Sequence, residues 1–385
     1  MDFALGEKAE KFRAEVRAWL AENLTPEVIE HEERTGDGLN LDSHRKMAAR
    51  GWVAANWPRE YGGQERDPYE MYAMETELQH SGYPRNVFIT TSLVGNTLRV
   101  VGSERQKREI LPRIVRGELI ISLGYSEPHC GSDIADARTR AERDGDDWLI
   151  HGQKMFTTGA HLANYVFVLA RTDASLPKRQ GLTLFLVPTD LPGFEAQAVH
   201  TLGGERTNLT FYSGVRVPDW LRVGELNGGW DVMKVALALE QGVGYTGNAE
   251  VLLDAALAWA RRTGRISDPI VRERLARVAQ CAEVGTLLEK RSTWAAATGD
   301  RSARVAGPMA KLYSSEIFVA AASDLMDLLG ADALARRGEG EPDDAAMVEF
   351  YQRFCHGTTI YAGTSEVMRS QIAEAGLGLP RSRAK

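Results

Sequence analysis

Apolar residues near the start of the chain (Phe3, Leu5, Phe12, Val16, Trp19 and Leu20) recur at close to 3.6-residue spacing, the period of one helix face. The same period resumes over 69–80 and 103–115, and Trp57-Pro58 with Tyr61-Gly62-Gly63 predicts a loop between them. The middle of the chain changes character. Short runs of β-formers occupy 148–150, 165–170, 183–187 and 209–212, punctuated by Asp144-Gly145-Asp146, Pro188 and Leu191-Pro192-Gly193. That pattern predicts a small antiparallel sheet or barrel. From about Gly229 the chain is again helical and rich in Ala and Leu, with four segments near 230–262, 268–299, 303–330 and 345–377 and a polar break at 338–344. The fold class expected is α+β multidomain. An N-terminal α-helical domain spans 1–120, a middle β domain 121–228, and a C-terminal four-helix bundle 229–385.

Composition narrows the function. The chain has 385 residues, enough for two or three packed units. A net charge of −7 argues against bulk nucleic-acid binding, which needs a basic footprint. Three widely spaced cysteines, Cys130, Cys281 and Cys355, form no CxxC pair, so a disulfide framework or structural zinc is not expected and a reducing cytosol fits. The first 20 residues mix charged and apolar positions and do not read as a signal peptide. No apolar run approaches the roughly 18 residues of a membrane span. The eight histidines lack ligand spacing, and no GxSxG elbow, P-loop or GxGxxG fingerprint is present. Hydrolase, kinase and nicotinamide-enzyme readings therefore fall away.

A dense block of polar and small residues remains. It runs through Tyr125-Ser126-Glu127-Pro128-His129-Cys130-Gly131-Ser132-Asp133, then Gly152-Gln153-Lys154-Met155-Phe156-Thr157-Thr158-Gly159-Ala160 and Leu169-Ala170-Arg171-Thr172-Asp173. Val215-Arg216-Val217-Pro218, Gly228-Gly229-Trp230 and Tyr361-Ala362-Gly363-Thr364-Ser365-Glu366 follow. A turn rich in Ser, Gly and Asp supplies hydroxyls and free backbone N–H groups, which suit a pyrophosphate or ring carbonyls. For any single residue taken alone, an ordinary tight turn is the better account.

Taken together, these motifs resemble the acyl-CoA dehydrogenase family over nearly the whole chain, and the helical–β–helical order is that family's architecture. The resemblance implies an FAD enzyme that desaturates an acyl-CoA thioester. It implies that Ser126 bonds the flavin pyrimidine edge, that Ser132 lies by the pyrophosphate, that Phe156 packs on the isoalloxazine and that Thr158 touches its N5 side. Tyr125, Gly131, Thr364 and Glu366 complete the cofactor contacts so implied.

The reaction takes a proton from Cα and a hydride from Cβ. The base must be a carboxylate in a dry site, where its pKa rises, and the thioester oxygen needs hydrogen-bond donors. Most of the family places the base Glu before the Gly of a Tyr-Glu-Gly-Thr motif. Here that position is Ala362, whose side chain cannot be a base but whose N–H can meet the thioester oxygen. A minority uses a Glu on the first bundle helix, and Glu240 falls at that position. As a helical residue it would neighbour Ala236, Leu237, Val243 and Gly244, a small and apolar face that favours desolvation. A solvated surface Glu is the plain alternative. Gly242, Gly244 and Gly247 follow. Glycine within a helix costs about 1 kcal/mol against Ala, so close helix packing or room for a bulky acyl group is expected, with the second preferred.

Two motifs that homotetrameric relatives donate to a neighbouring flavin are missing. Where an Arg-x-x-Phe-Gly motif would lie, the chain reads Arg261-Arg262-Thr263-Gly264-Arg265. Where Gln-x-x-Gly-Gly-x-Gly would lie, it reads Asp324-Leu325-Met326-Asp327-Leu328-Leu329-Gly330. Gln241 stands where an Arg usually follows the Glu. The resemblance is thus to the bacterial α2β2 type, which includes enzymes for steroid side-chain thioesters. It implies a homologous partner subunit, with an electron-transfer flavoprotein as acceptor. The alternatives are a homo-oligomer in which Arg262 or Arg265 substitutes, a non-catalytic partner subunit, and a same-fold flavin oxidase or monooxygenase.

Overall fold

The computed structural model describes residues 3–240, 244–334, 336 and 343–381, the side chains of Glu240 and Asp343 excepted. Six helices precede the sheet: α1 (Glu7–Asn23), α2 (Pro26–Thr35), α3 (Leu41–Ala49), α4 (Pro68–His80), α5 (Asn86–Val101) and α6 (Glu104–Val115). Their ends follow local chemistry. Asp67 and Ser103 form capping boxes with Glu70 and Gln106, which satisfy the first free N–H groups of α4 and α6. Helix α5 falls within the expected helical domain even though its Val-Phe-Ile-Thr-Thr run favours strands. Burial of Val87, Phe88, Leu93, Val94 and Leu98 along one face makes it helical.

The sheet contains β1 (Ile121–Gly124), β2 (Arg140–Asp144), β3 (Asp147–Lys154), β4 (Tyr165–Arg171), β5 (Leu182–Pro188), β6 (Phe194–His200), β7 (Arg206–Pro218) and β8 (Arg222–Val223). The spatial order is β6-β7-β3-β2-β4-β5-β8, with β1 beside β4. The expected antiparallel sheet is in fact mixed, since β1 and β2 both run parallel to β4. The long excursion through β2 and β3 between β1 and β4 permits this, as parallel neighbours need a crossover rather than a hairpin. Strands β4 and β5 are buried along almost their whole length, which is why they read as continuous apolar runs.

The chain after the sheet forms α7 (Gly229–Glu240), α8 (Thr246–Arg262), α9 (Pro269–Thr298), α10 (Ala303–Leu329), α11 (Asp343–Thr358) and α12 (Ser365–Gln371). Contacts sort the molecule into two compact units that do not follow chain order. One holds α2, α3, α5, α6, the sheet and α7; the other holds α1, α4 and everything from residue 241 onward. In the second unit Leu252, Trp259, Phe318, Leu325 and Tyr351 build the core.

The expected single helix over 230–262 is two helices. Helix α7 ends at Glu240, and α8 begins at Thr246. Gly244 is not helical and so does not share a helical face with Glu240; Gln241, Gly242 and Val243 lie outside the described residues. The entry to α8 is held by two side chains. Gln79 of α4 donates to the Gly244 carbonyl (3.0 Å), and Glu289 of α9 accepts from the Thr246 N–H and hydroxyl (3.2 and 2.5 Å). A Cβ at Gly244 would overlap the Glu289 carboxylate, and one at Gly247 would lie 2.7 Å from Gln79 Oε1. Close packing, not room for an acyl group, explains these two glycines.

A buried ion pair organises the ends of β1 and β3. Lys154 Nζ meets Glu127 Oε1 at 2.7 Å and the Tyr125 carbonyl at 3.3 Å. Both charged side chains are almost fully shielded from solvent. The Glu127 carboxylate also accepts the N–H groups of Thr139 and Arg138, each at 2.9 Å. Burial pushes the Glu127 carboxyl up, but the Lys154 charge and hydrogen bond, with the two N–H groups, outweigh it and hold the group below the usual carboxylate range.

Two outcomes follow. Glu127→Gln leaves Lys154 buried without a counter-charge and should lower stability by about 3–5 kcal/mol, whereas Glu127→Leu combined with Lys154→Met should recover most of that loss. Denaturant unfolding at pH 7 measures both. Because the folded carboxyl lies below its ordinary value of 4.5, the wild-type advantage is present above that pH and is lost as pH falls through the folded value. Gly244→Ala should cost about 1–3 kcal/mol in the same assay by forcing Glu289 away.

Candidate active site

Strand β1 runs out through Tyr125 and Ser126 into a tight turn in which Glu127 and Cys130 exchange backbone hydrogen bonds (2.8 and 3.0 Å). The Met155 N–H donates to the Ser126 carbonyl (2.9 Å), which brings the end of β3 alongside. Gly131 completes the group: a Cβ there would find only Ser126 Oγ, 4.0 Å away. Ser126 is half-buried, and Gly131 and Ser132 are exposed. Tyr125 differs from the rest. Its ring is buried edge-on against Phe167, and its carbonyl accepts from Lys154.

Just beyond β3, Phe156 adopts φ 58°, and the residue is 58% exposed. A left-handed non-glycine residue costs roughly 1–2 kcal/mol, and an exposed aromatic side chain forgoes burial as well. Thr158 is half-buried, with its hydroxyl 3.4 Å from that of Thr207. Ser126, Gly131, Phe156 and Thr158 thus gather hydroxyls, an open glycine and an exposed ring on the strand ends of one unit. That set fits a flat aromatic group with polar edges: the ring offers a stacking surface, and the hydroxyls offer donors and acceptors.

Glu127, His129 and Cys130 present ligand atoms within 4.8 Å of one another. They are poorly suited to a cation. The Glu127 oxygens already serve Lys154 and two backbone N–H groups, and burial followed by the Glu127 charge pushes the Cys130 thiol up, keeping it protonated.

In the other unit, the segment between α11 and α12 turns through two left-handed residues, Ala362 (φ 53°) and Gly363 (φ 89°). Buried Lys311 of α10 donates to the Gly363 carbonyl, and the Ser365 N–H closes the turn on the Thr359 carbonyl (3.1 Å). Thr364 is the N-cap of α12 and accepts from the Val367 N–H (3.3 Å). Glu366 is exposed in the first turn. Its own backbone N–H, the Thr364 hydroxyl and nearby cations lower its pKa.

Sequence reasoning missed Lys154 and Lys311, the buried lysines that hold these two turns. Lys154 occupies an inward position of β3, a signal that alternation along the strand could have given. Lys311 carried no such signal, lying in an Ala-rich helix.

The arginines considered as substitute flavin contacts have partners within the chain. Arg262 makes a two-pronged pair with Asp344 (2.8 Å each), and Arg265 stacks over Trp259 at 5.0 Å. Trp259 Nε1 also donates to Asp332 (2.8 Å).

Family models match three consecutive stretches: acyl-CoA dehydrogenase N-terminal domain over 6–118, middle domain over 122–212 and C-terminal domain over 227–377. Acyl-CoA dehydrogenase FadE26 of Mycobacterium tuberculosis is 36% identical, with 97% of each chain covered. Acyl-CoA dehydrogenase IpdE1 of the same organism is 35% identical, covering 97% of this chain and 98% of the relative. Among solved structures, the ChsE4-ChsE5 complex from M. tuberculosis matches with a TM-score of 0.92 at 35% identity over the whole of both chains. The Tcur3481-Tcur3483 steroid ACAD matches with a TM-score of 0.89 at 35% identity, over 99% of this chain and 100% of that one. Matched along its length by all three domains and by relatives above 30% identity, this chain belongs to the acyl-CoA dehydrogenase family and is an oxidoreductase of that family.

Proposed function

We propose that this chain catalyses FAD-dependent α,β-dehydrogenation of a bulky or branched acyl-CoA to its 2-enoyl-CoA as one subunit of a heteromeric enzyme. The observation that carries this reading is Ala362, a residue without acid–base chemistry in a clamped left-handed turn, in a chain that has a carboxylate at the end of α7, Glu240. Glu240 would take the Cα proton. The Ala362 N–H would bind the thioester oxygen and stabilise the enolate charge that develops there. Ser126 would hold the pyrimidine edge of the flavin, Thr158 would touch its N5 side, Phe156 would pack on its ring, Ser132 would lie by the pyrophosphate, and Gly131 would also contact the cofactor. Thr364 and Glu366 would contact the cofactor from the α12 turn, and Tyr125 would contribute through its main chain. Bound FAD would accept the Cβ hydride, and an electron-transfer flavoprotein would reoxidise the enzyme.

A bulky acyl group is supported by the relative described as a steroid ACAD. A partner subunit is supported by the two solved relatives named as pairs, by the missing donated motifs, and by the intrachain engagement of Arg262 and Arg265. Free cysteines at 130, 281 and 355 fit a reducing cytoplasm. Ala362 also favours a second reading, a non-catalytic partner subunit.

Purified alone, the chain should carry little FAD, and co-expression with a homologous subunit should restore one FAD per heterodimer. Absorbance and native mass measure this, and one FAD per chain in a homotetramer would overturn the heteromer. In the assembled enzyme Glu240→Gln should lower kcat by roughly 10²–10⁴-fold with FAD retained. Unchanged turnover would reject Glu240 as base and favour the non-catalytic reading.

A further inference from the structure

A buried polar network lies against the loop that carries Phe156 and Thr158, and the reaction does not use it directly. Asn208 of β7 grips Thr157 from both sides. Its carbonyl accepts the Thr157 N–H (2.9 Å), and its side-chain amide donates to the Thr157 carbonyl (3.0 Å). The same amide nitrogen faces His161 Nδ1 at 3.3 Å, and His161 Nε2 meets Asp37 Oδ1 at 2.8 Å. Asp37 lies just past the end of α2 in a loop fixed to the β6–β7 turn. There the Arg206 N–H donates to the Gly36 carbonyl (2.8 Å), and a Cβ at Gly36 would overlap the Gly204 carbonyl.

The hydrogen-bond roles are determined along the whole chain. The Thr157 carbonyl requires an N–H from Asn208, which fixes the amide orientation. The second N–H of that amide then points at His161 Nδ1, which must be unprotonated. The ring proton is therefore on Nε2 and is donated to Asp37. His161 is thus neutral and in one tautomer. Burial, and then the Arg206 charge, lower its pKa against the pull of Asp37, which agrees with that assignment.

We infer that Asp37, His161 and Asn208 form a positioning relay that fixes the 156–159 loop, and through it the Phe156 ring and the Thr158 hydroxyl, for the flavin. This rests on the reading of Phe156 and Thr158 as flavin contacts given above. The relay reaches Thr157, which lies between those two residues, so its loss frees both at once. Asp37 acts at a distance of three hydrogen bonds and touches no expected ligand group, which makes it a positioning residue only.

The test uses the enzyme co-expressed with its partner subunit. His161→Phe removes both hydrogen bonds, Asp37→Asn keeps the shape but removes the charge, and His161→Gln keeps the donor to Asp37. The readouts are the visible absorption bands of bound flavin and the FAD dissociation rate. His161→Phe should shift the bands and speed FAD release by about tenfold or more, as expected for losing two buried hydrogen bonds; Asp37→Asn, which keeps an oxygen acceptor without its charge, should do so by less, and His161→Gln should recover part of the His161→Phe effect. Wild-type assembly that holds FAD, with variants unchanged in bands and release rate, would overturn the relay alone. Wild-type assembly without FAD would overturn the flavin reading and the relay with it.

Discussion

The pairing of Glu127 with Lys154 is the constraint on which the sheet-containing unit is arranged. Lysine is almost never fully buried unless paired, and this one is fully enclosed at the inward end of β3. It draws in the Tyr125 carbonyl and the Glu127 carboxylate, and that carboxylate in turn collects the N–H groups that lead into β2. One ion pair therefore ties the exits of β1 and β3 to the entry of β2. Such a pair contributes little net stability over an apolar substitute; its value is in the single arrangement it permits. Here that arrangement sets Ser126 beside Met155 and sends the chain into the left-handed Phe156.

Left-handed backbone at a residue with a side chain persists only where neighbours over-determine it. Phe156 and Ala362 are two such residues, one in each unit, and each has a buried lysine close by in structure or sequence. Lys154 ends the strand that precedes Phe156, and Lys311 holds the carbonyl that follows Ala362. A lysine donor suits this task because it can satisfy a carbonyl that a tight turn has removed from any ladder. At Ala362 the turn is thus held by a charge-assisted bond, whereas at Phe156 it is held by the Thr158 N–H on the Phe156 carbonyl and the Thr157 N–H on the Asn208 carbonyl.

The segment after α7 follows a different principle. The described part of α7 runs to Glu240, and Gln79 and Glu289 hold Gly244 and Thr246. Those contacts leave no space beside Gly244 or Gly247, so substrate size is not encoded in these glycines. Likewise Arg262 and Arg265 are engaged within the chain, by Asp344 and by the Trp259 ring.

Periodicity along the sequence determined the order of helical, β and helical segments, because amphipathic and strand patterns are local. The ordered motifs from Tyr125 to Glu366 determined the family, because a long series of matched residues does not depend on any one contact. The vacancy at Ala362 was legible for the same reason. Tertiary structure alone decided the rest. Helix α5 forms against its own propensity because burial outweighs it, and the helix expected over 230–262 breaks because Gln79 and Glu289, distant in sequence, hold Gly244 and Thr246. The parallel pairing of β1 with β4 and the joining of Asp37 to His161 across 124 residues are likewise long-range. No local pattern announces such pairings, since each depends on two segments that only the folded chain brings together.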